Sequence, residues 1–189
     1  MSAIDRVVTS LEGTPARPWD PMAVIEAPLR LHRCEVVGAW VDYNGHMSES
    51  CFLLVFGDAA DAFFRFVGID EGYRAAGHSL YTVETHLHHH REVSEGEYVS
   101  VTLQLLGHDA NRVHLFQQMF VQAPDGGTGA LLASAEQMLV HVDTQLGRSS
   151  PMGADMQGRL TAIGAAHASL PRPAIVGRAM QLRAARSAT

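Results

Sequence analysis

The sequence predicts an α+β domain in which an antiparallel sheet of about five strands wraps around one central helix. Three observations support this fold class. An extended segment at 29–37 comes first, a long apolar helical pattern at 48–67 follows it, and four segments of alternating apolar and polar residues come last. Short turns separate those four segments, so we expect neighbouring strands to pair antiparallel.

The central helix is predicted from apolar residues spaced three and four apart, which form one helical face. Asp61 and Arg65 have the four-residue spacing of a helical ion pair. Ser48 is a suitable N-cap and Gly68 a suitable stop. Since even the opposite side is rich in apolar residues, we expect other structure to enclose this helix.

The remaining elements are predicted from alternation and from turn or breaker residues. We expect a short helical piece at 70–76, strands at 80–90, 97–106, 112–121 and 131–142, and an alanine-rich helix at 153–169. The chain thus divides into an irregular, proline-rich N-terminal arm (1–28), a core domain (29–143) and a C-terminal helical extension with a tail (144–189). Trp19 suggests that the arm docks on the domain.

Composition limits the function classes. The chain has 189 residues, 47% of them hydrophobic, and a formal charge of −6. It is long enough for a real core, and it lacks the basic patch that nucleic-acid binding requires. Without a signal core or an apolar run of spanning length, we expect no membrane association and a cytoplasmic location, with Cys34 and Cys51 as reduced thiols.

The stretch 42–47, Asp-Tyr-Asn-Gly-His-Met, lies where the first strand meets the central helix. The first helical turn has unpaired N–H groups and the positive end of the helix dipole, and both favour developing negative charge. A carboxylate just upstream, Asp42, is therefore placed for chemistry on a carbonyl, as base or nucleophile. The alternative is an aspartate that only hydrogen-bonds local turn amides.

Four longer runs, VDYNGHMSES, FGDAADAFFRFVGID, GHSLYTVETHLHHH and ASAEQMLVHVD, occur in this order. Together they resemble the betainyl-CoA thioesterases, a group within the hotdog-fold acyl-CoA thioesterases of the 4-hydroxybenzoyl-CoA type. The resemblance covers 29–143. It implies a hotdog fold, hydrolysis of an acyl-CoA, no cofactor beyond the coenzyme A of the substrate, a homodimer or dimer of dimers with its pocket at the dimer interface, and a functional link to carnitine dehydrogenase.

The resemblance also implies residue roles. Asp42 corresponds to the catalytic carboxylate, Asn44 either orients the attacking water or shapes the turn, and His46 binds substrate or Asp42 or ties down the loop. Glu84 is the candidate for an additional acid. Backbone amides around the helix start are expected to polarise the thioester oxygen; these are the amides of Gly45, Met47 and Ser48.

A betainyl group carries a quaternary ammonium, which aromatic faces and carboxylates hold. Trp40, Tyr43 and Tyr81 are the aromatic candidates for such a cage, with core packing as the alternative. Arg91 and Arg112 are candidates for the phosphates of coenzyme A by their charge.

The histidines at 86, 88 and 90 share one face of a strand, a spacing that zinc can use. The sequence does not offer an obvious complete set of zinc ligands around these histidines. We therefore expect them to form a surface or interface cluster and to bind no metal. Three alternatives to a betainyl-CoA hydrolase remain open: a non-catalytic module that binds acyl-CoA, a hydrolase of another short or aromatic acyl-CoA, and a hotdog dehydratase or hydratase. The acid at position 42 argues against the binding module, which has no need of it.

Overall fold

The computed structural model describes residue 17 and residues 19–123 and 127–180. Its helices are α1 (Glu49–Val67), α2 (Glu71–Ala75) and α3 (Ala154–His167), with one 3-10 turn at Gly38–Trp40. Its strands are β1 (Leu29–Glu35), β2 (His78–His89), β3 (Tyr98–His108), β4 (Arg112–Gln122), β5 (Thr128–Asp143) and the short β6 (Arg148–Ser149). Most of the predicted arm, three residues of the Pro-Asp-Gly-Gly turn region (124–126) and the tail from 181 onward lie outside the described residues.

One antiparallel sheet holds all the strands, in the order β1-β3-β4-β5-β2, and β6 pairs with the end of β5. The predicted fold class, α+β with five long strands and a central helix, is confirmed. Strand β2 forms one end of the sheet order, so one of its edges is not paired with another strand of the described residues.

Helix α1 lies against one face of the sheet and supplies the centre of the core. Phe56 and Phe63 are both 0% exposed, and they belong to two apolar clusters that fill the two ends of the domain. The helix ends at Gly68, whose φ of 107° is the left-handed conformation that glycine adopts without strain. Arg65 Nε lies 3.2 Å from Asp61 Oδ2, so the predicted ion pair is confirmed.

A line of polar side chains shows which strand residues face α1. Gln117 Nε2 donates to the Phe56 carbonyl at 3.3 Å and to Gln137 Oε1 at 2.6 Å, and Gln137 Nε2 donates to Thr85 Oγ1 at 3.4 Å. Since successive strand residues point to opposite faces, the neighbours Glu84, His86 and Glu136 lie on the face away from α1. We call this second face the outer face of the sheet.

The segments that flank the core pack onto it. Trp19 contacts Phe66 of α1 with ring centroids 5.1 Å apart, and the Arg159 guanidinium of α3 lies 5.7 Å from the Trp19 ring. The predicted docking of Trp19 is therefore confirmed. Among the described residues, no helix has the length and apolarity needed to cross a membrane.

After α3 the chain crosses the outer face as an irregular segment, residues 168–180, which we call the C-terminal strap. It contacts β3, where Gln104 Nε2 donates to the Pro171 carbonyl at 3.4 Å. It then reaches β5, where the Gly177 amide donates to Glu136 Oε2 at 2.7 Å. The strap thus covers part of the outer face between β3 and β2.

Candidate active site

The motif at 42–47 forms a tight loop closed by backbone hydrogen bonds. Val41 and Met47 form an antiparallel bridge, the Asp42 amide donates to the His46 carbonyl at 2.9 Å, and the Gly45 amide donates to the Asp42 carbonyl at 3.0 Å. Gly45 has a φ of 81°, which explains the glycine at this turn. Asp42 and His46 therefore lie opposite each other in this pairing, a position in which antiparallel residues typically have their Cβ atoms about 5 Å apart.

The Asp42 carboxylate is half-buried at the mouth of this loop. Its Oδ1 accepts the Asn44 amide at 2.8 Å, and its Oδ2 accepts Asn44 Nδ2 at 3.4 Å. Asn44 therefore holds the carboxylate from both backbone and side chain. The two interpretations of Asp42 are compatible here: a turn aspartate fixed in this way still has a carboxylate oxygen with lone pairs directed to solvent or substrate.

The three amides expected to bind the thioester oxygen already have acceptors. The Gly45 amide donates to Asp42, the Met47 amide to the Val93 carbonyl at 2.9 Å, and the Ser48 amide to the Trp40 carbonyl at 2.8 Å. The next donors along the chain are the amides of Glu49 and Ser50, which have no acceptor within the helix because they belong to its first turn. Ser48, the N-cap, makes no side-chain capping bond to them.

His46 contacts an acid that no sequence pattern singles out. Its Nε2 lies 3.3 Å from Oε2 of Glu92, a residue just beyond β2. The backbones of His46 and Ser94 form an antiparallel bridge, which brings this segment beside the motif. Glu92 follows the end of the alternating pattern and is distant in sequence, so only the tertiary structure shows the contact.

The predicted aromatic residues are placed in two regions. Trp40 and Tyr43 flank Asp42 directly; Trp40 is half-buried against the core, whereas Tyr43 is 97% exposed. Tyr81 lies on β2, eight residue steps before His89, which corresponds to about 26 Å along the strand. Since His89 is the β2 residue that packs on Phe52 at the start of α1, one chain does not bring Tyr81 to the motif.

Glu84 is likewise distant from Asp42 within one chain. It lies on the outer face, five residue steps or about 16 Å from His89, and its Oε1 is 2.9 Å from His86 Nε2. A β-bulge between Thr82 and Glu84 interrupts the alternation at this point. The additional acid expected from the sequence is therefore not part of the Asp42 loop in one chain.

The two candidate arginines lie at opposite ends of the sheet. Arg91 follows β2 next to Glu92, on the same side as the motif, and its amide donates to the Leu132 carbonyl at 3.1 Å. Arg112 begins β4, and its guanidinium donates to Asp109 Oδ2 at 2.8 and 2.6 Å. This hydrogen bond, with the amide of Asn111, lowers the pKa of Asp109 to about 2. Arg112 lies about 33 Å, the length of β3, from the motif end of the sheet.

Of the three histidines at 86, 88 and 90, His86 and His88 lie beside Arg178 and Met180 of the C-terminal strap. A cavity of about 300 Å³ there is lined by Glu84, His86, His114, Glu136, Met138, Gly177 and Ala179. His114 Nε2 donates to Glu136 Oε1 at 2.7 Å. Burial raises the pKa of Glu136, but the hydrogen bonds from the Gly177 amide and His114 outweigh it and leave this pKa lowered. Across the described part of the chain, no three His, Cys, Asp or Glu side chains are grouped to hold a metal ion.

Comparison with known proteins identifies the family of this chain. The model of the thioesterase-like superfamily matches residues 36–160. A Pseudomonas aeruginosa betainyl-CoA thioesterase is 43% identical over 155 residues, which is 82% of this chain and 95% of that protein. A Rhizobium meliloti L-carnitine dehydrogenase/betainyl-CoA thioesterase is 43% identical over 166 residues, 88% of this chain, and the match spans only 32% of that longer protein.

Solved structures agree with the sequence comparison. A putative thioesterase from Pseudomonas putida KT2440 superposes with a TM-score of 0.71 at 34% identity, covering 83% of this chain and 98% of that one. A Staphylococcus aureus protein solved in complex with CoA shares the fold at a TM-score of 0.75 and 23% identity, covering 85% of this chain and 99% of that one. With a family model matched over most of the domain and a 43%-identical relative covered almost completely, the chain belongs to the thioesterase-like superfamily.

Proposed function

We propose that the protein hydrolyses acyl-CoA thioesters and that its substrate is betainyl-CoA, which yields betaine and coenzyme A. The observation that carries the reaction is the position of Asp42: a carboxylate fixed by Asn44 in the loop that leads into the open first turn of α1. The support for the substrate is the 43% identity to the Pseudomonas aeruginosa betainyl-CoA thioesterase.

The mechanism assigns polarisation of the carbonyl to the helix start. The thioester oxygen accepts hydrogen bonds from the amides of Glu49 and Ser50, where the helix dipole also favours negative charge. Asp42 then takes a proton from the attacking water, or attacks the carbonyl carbon itself to form an anhydride that water hydrolyses. In both routes the bond to sulfur breaks and coenzyme A leaves as the thiolate. The carboxylate of Asp42 is regenerated when its proton passes to the thiolate or to solvent, or when water opens the anhydride.

A homodimer is part of the proposal. The free edge of β2 carries Tyr81 and Val83, which are 53% and 60% exposed. An unpaired, partly apolar strand edge favours association with a second strand, and pairing with β2 of another copy would bury these side chains. A second copy is also the means by which Tyr81, Glu84 and Arg112 of one chain would approach the motif of another.

The functional link to carnitine dehydrogenase belongs to the proposal as well. Four related proteins are each named L-carnitine dehydrogenase/betainyl-CoA thioesterase. They come from Rhizobium meliloti, Agrobacterium fabrum, a Rhizobium species and Ruegeria pomeroyi. In this proposal the present chain supplies the thioesterase step for carnitine breakdown in the cytoplasm.

A thiol-detection assay tests the proposal. Betainyl-CoA is compared with acetyl-CoA, benzoyl-CoA and 3,3-dimethylbutyryl-CoA, the neutral isostere in which carbon replaces the quaternary nitrogen. We expect kcat/KM for betainyl-CoA to exceed that of the isostere by about tenfold or more, the order of a desolvated cation–π contact. Equal values for the two would reject betainyl-CoA as the preferred substrate. Binding of acyl-CoA with no thiol release from any substrate would reject hydrolysis and support the non-catalytic module.

A further inference from the structure

The contact between His46 and Glu92 connects the motif to a residue with no role in the mechanism above. Glu92 Oε2 lies 3.3 Å from His46 Nε2. We propose that Glu92 is a positioning residue for acyl-CoA hydrolysis, which holds the His46 imidazole in one orientation beside Asp42. The inference rests on the proposed hydrolase function and concerns the same site.

The backbone around Glu92 is fixed against the motif. Val93, the next residue, is 1% exposed in the core, and its carbonyl accepts the Met47 amide at 2.9 Å. Ser94 forms the antiparallel bridge with His46, and its amide donates to Glu97 Oε2 at 2.7 Å. The Glu92 side chain therefore extends from a segment whose backbone is paired with the loop that carries Asp42.

Stability does not account for the contact. The Glu92 side chain is 76% exposed and that of His46 is 39% exposed. Ion pairs this exposed contribute only about 0–1 kcal/mol to folding. The backbone contacts of Met47 and Ser94 already hold the loop on the sheet. We therefore assign to Glu92 the orientation of the His46 imidazole.

The orientation of His46 matters because of its distance from Asp42. The two residues lie opposite each other in the pairing of the loop, a position in which Cβ atoms are typically about 5 Å apart. A carboxylate beside Nε2 favours the proton on that nitrogen and turns the ring toward Glu92. Without Glu92, the imidazole is free to rotate and donate to the Asp42 carboxylate, where it would compete with the attacking water or the thioester.

The test uses a double-mutant cycle with steady-state kinetics. We expect Glu92→Ala to lower kcat by about three- to fivefold, the range that an ion pair this exposed can account for, with KM within about twofold. Glu92→Gln, which keeps an acceptor oxygen, should retain most of the rate. In a His46→Ala background, with His46→Gln as a second background, Glu92→Ala should cause no further loss because it acts through His46. Glu95→Ala, which removes an exposed acid of the same turn, is the matched control and should resemble the wild type.

Two results would overturn the role. One is a kcat for Glu92→Ala within about twofold of the wild type. The other is an equal loss from Glu92→Ala in the wild-type and His46→Ala backgrounds. Turnover by the wild type, measured alongside, separates this inference from the function on which it rests. An active wild type with an unaffected Glu92→Ala variant rejects the positioning role alone. An inactive wild type rejects the hydrolase proposal and the positioning role with it.

Discussion

The imidazole of His167, at the end of α3, accepts a hydrogen bond from the backbone amide of Leu105 in β3, with 2.9 Å between Nδ1 and the amide nitrogen. Its Nε2 donates to the Glu26 carbonyl of the N-terminal arm at 3.0 Å. A ring that accepts through one nitrogen and donates through the other is neutral. His167 is only 3% exposed; this burial lowers its pKa, and the hydrogen bond to Glu26 opposes that shift only in part.

His167 should make the fold sensitive to acid. Because its folded pKa is below the ordinary value of about 6.5, its stabilising effect is complete above about pH 6.5 and is lost as the pH falls through the lowered pKa. Urea unfolding at pH 7.5 and pH 5.5 measures the effect. We expect His167→Gln, which keeps a donor and an acceptor but does not titrate, to lose less stability between these pH values than the wild type.

His167→Ala provides the second comparison. It leaves the buried Leu105 amide without its acceptor, which should cost about 1–3 kcal/mol at pH 7.5. An equal drop from pH 7.5 to pH 5.5 in the wild type and His167→Gln would show that His167 does not contribute. Burial also lowers the pKa values of His32, His88 and His141, so these residues contribute to the acid sensitivity that remains.

Glu136 should control how firmly the C-terminal strap lies on the sheet. Its carboxylate accepts the Gly177 amide at 2.7 Å, next to Arg178. A hydrogen bond to a charged acceptor contributes about 1.5–3 kcal/mol, so Glu136→Ala should raise the open population of the strap about tenfold or more. Limited trypsin digestion followed by mass spectrometry should show faster cleavage after Arg178.

Glu84→Ala is the matched control for the strap. Glu84 lines the same cavity but pairs with His86, so its loss should leave cleavage after Arg178 unchanged. Wild-type cleavage rates in Glu136→Ala would show that the carboxylate does not hold the strap.

The two cysteines should differ in reactivity. Burial, with the nearby charge of Asp58, raises the pKa of Cys34 to about 12. Since the thiolate is the nucleophile, iodoacetamide at pH 8 should alkylate Cys51 at least about tenfold faster than Cys34. Peptide mass spectrometry over time measures both rates, and unfolded protein, in which both should react, is the control. Equal labelling of the folded protein would contradict the raised pKa of Cys34.

The fold could be predicted because its signals are local. The three- and four-residue spacing of Phe52, Phe56, Phe63 and Phe66 predicts α1, and alternation predicts each long strand. Alternation alone does not locate a bulge, however, and the one between Thr82 and Glu84 decides where Glu84 lies relative to the motif.

The motif could be located from the sequence, but its hydrogen-bond partners could not. Asp42, Asn44 and Gly45 are adjacent, and their turn chemistry is visible in the residue types. The acceptors of the Met47 and Ser48 amides are carbonyls of Val93 and Trp40, which no residue pattern indicates. The contact between His46 and Glu92 depends in the same way on how β2 returns to the loop.

The central claim is that the Asp42 carboxylate performs the hydrolysis, and the kcat of Asp42→Asn with betainyl-CoA tests it most directly. The asparagine keeps an oxygen to accept the Asn44 amide, so the loop should persist. Asp143→Asn is the control, because Asp143 Oδ1 likewise accepts the amide two residues on, at the end of β5. We predict that Asp42→Asn lowers kcat by about 10²–10⁴-fold, the usual contribution of a catalytic base, with an unchanged melting temperature. A kcat within about threefold of the wild type would contradict the account.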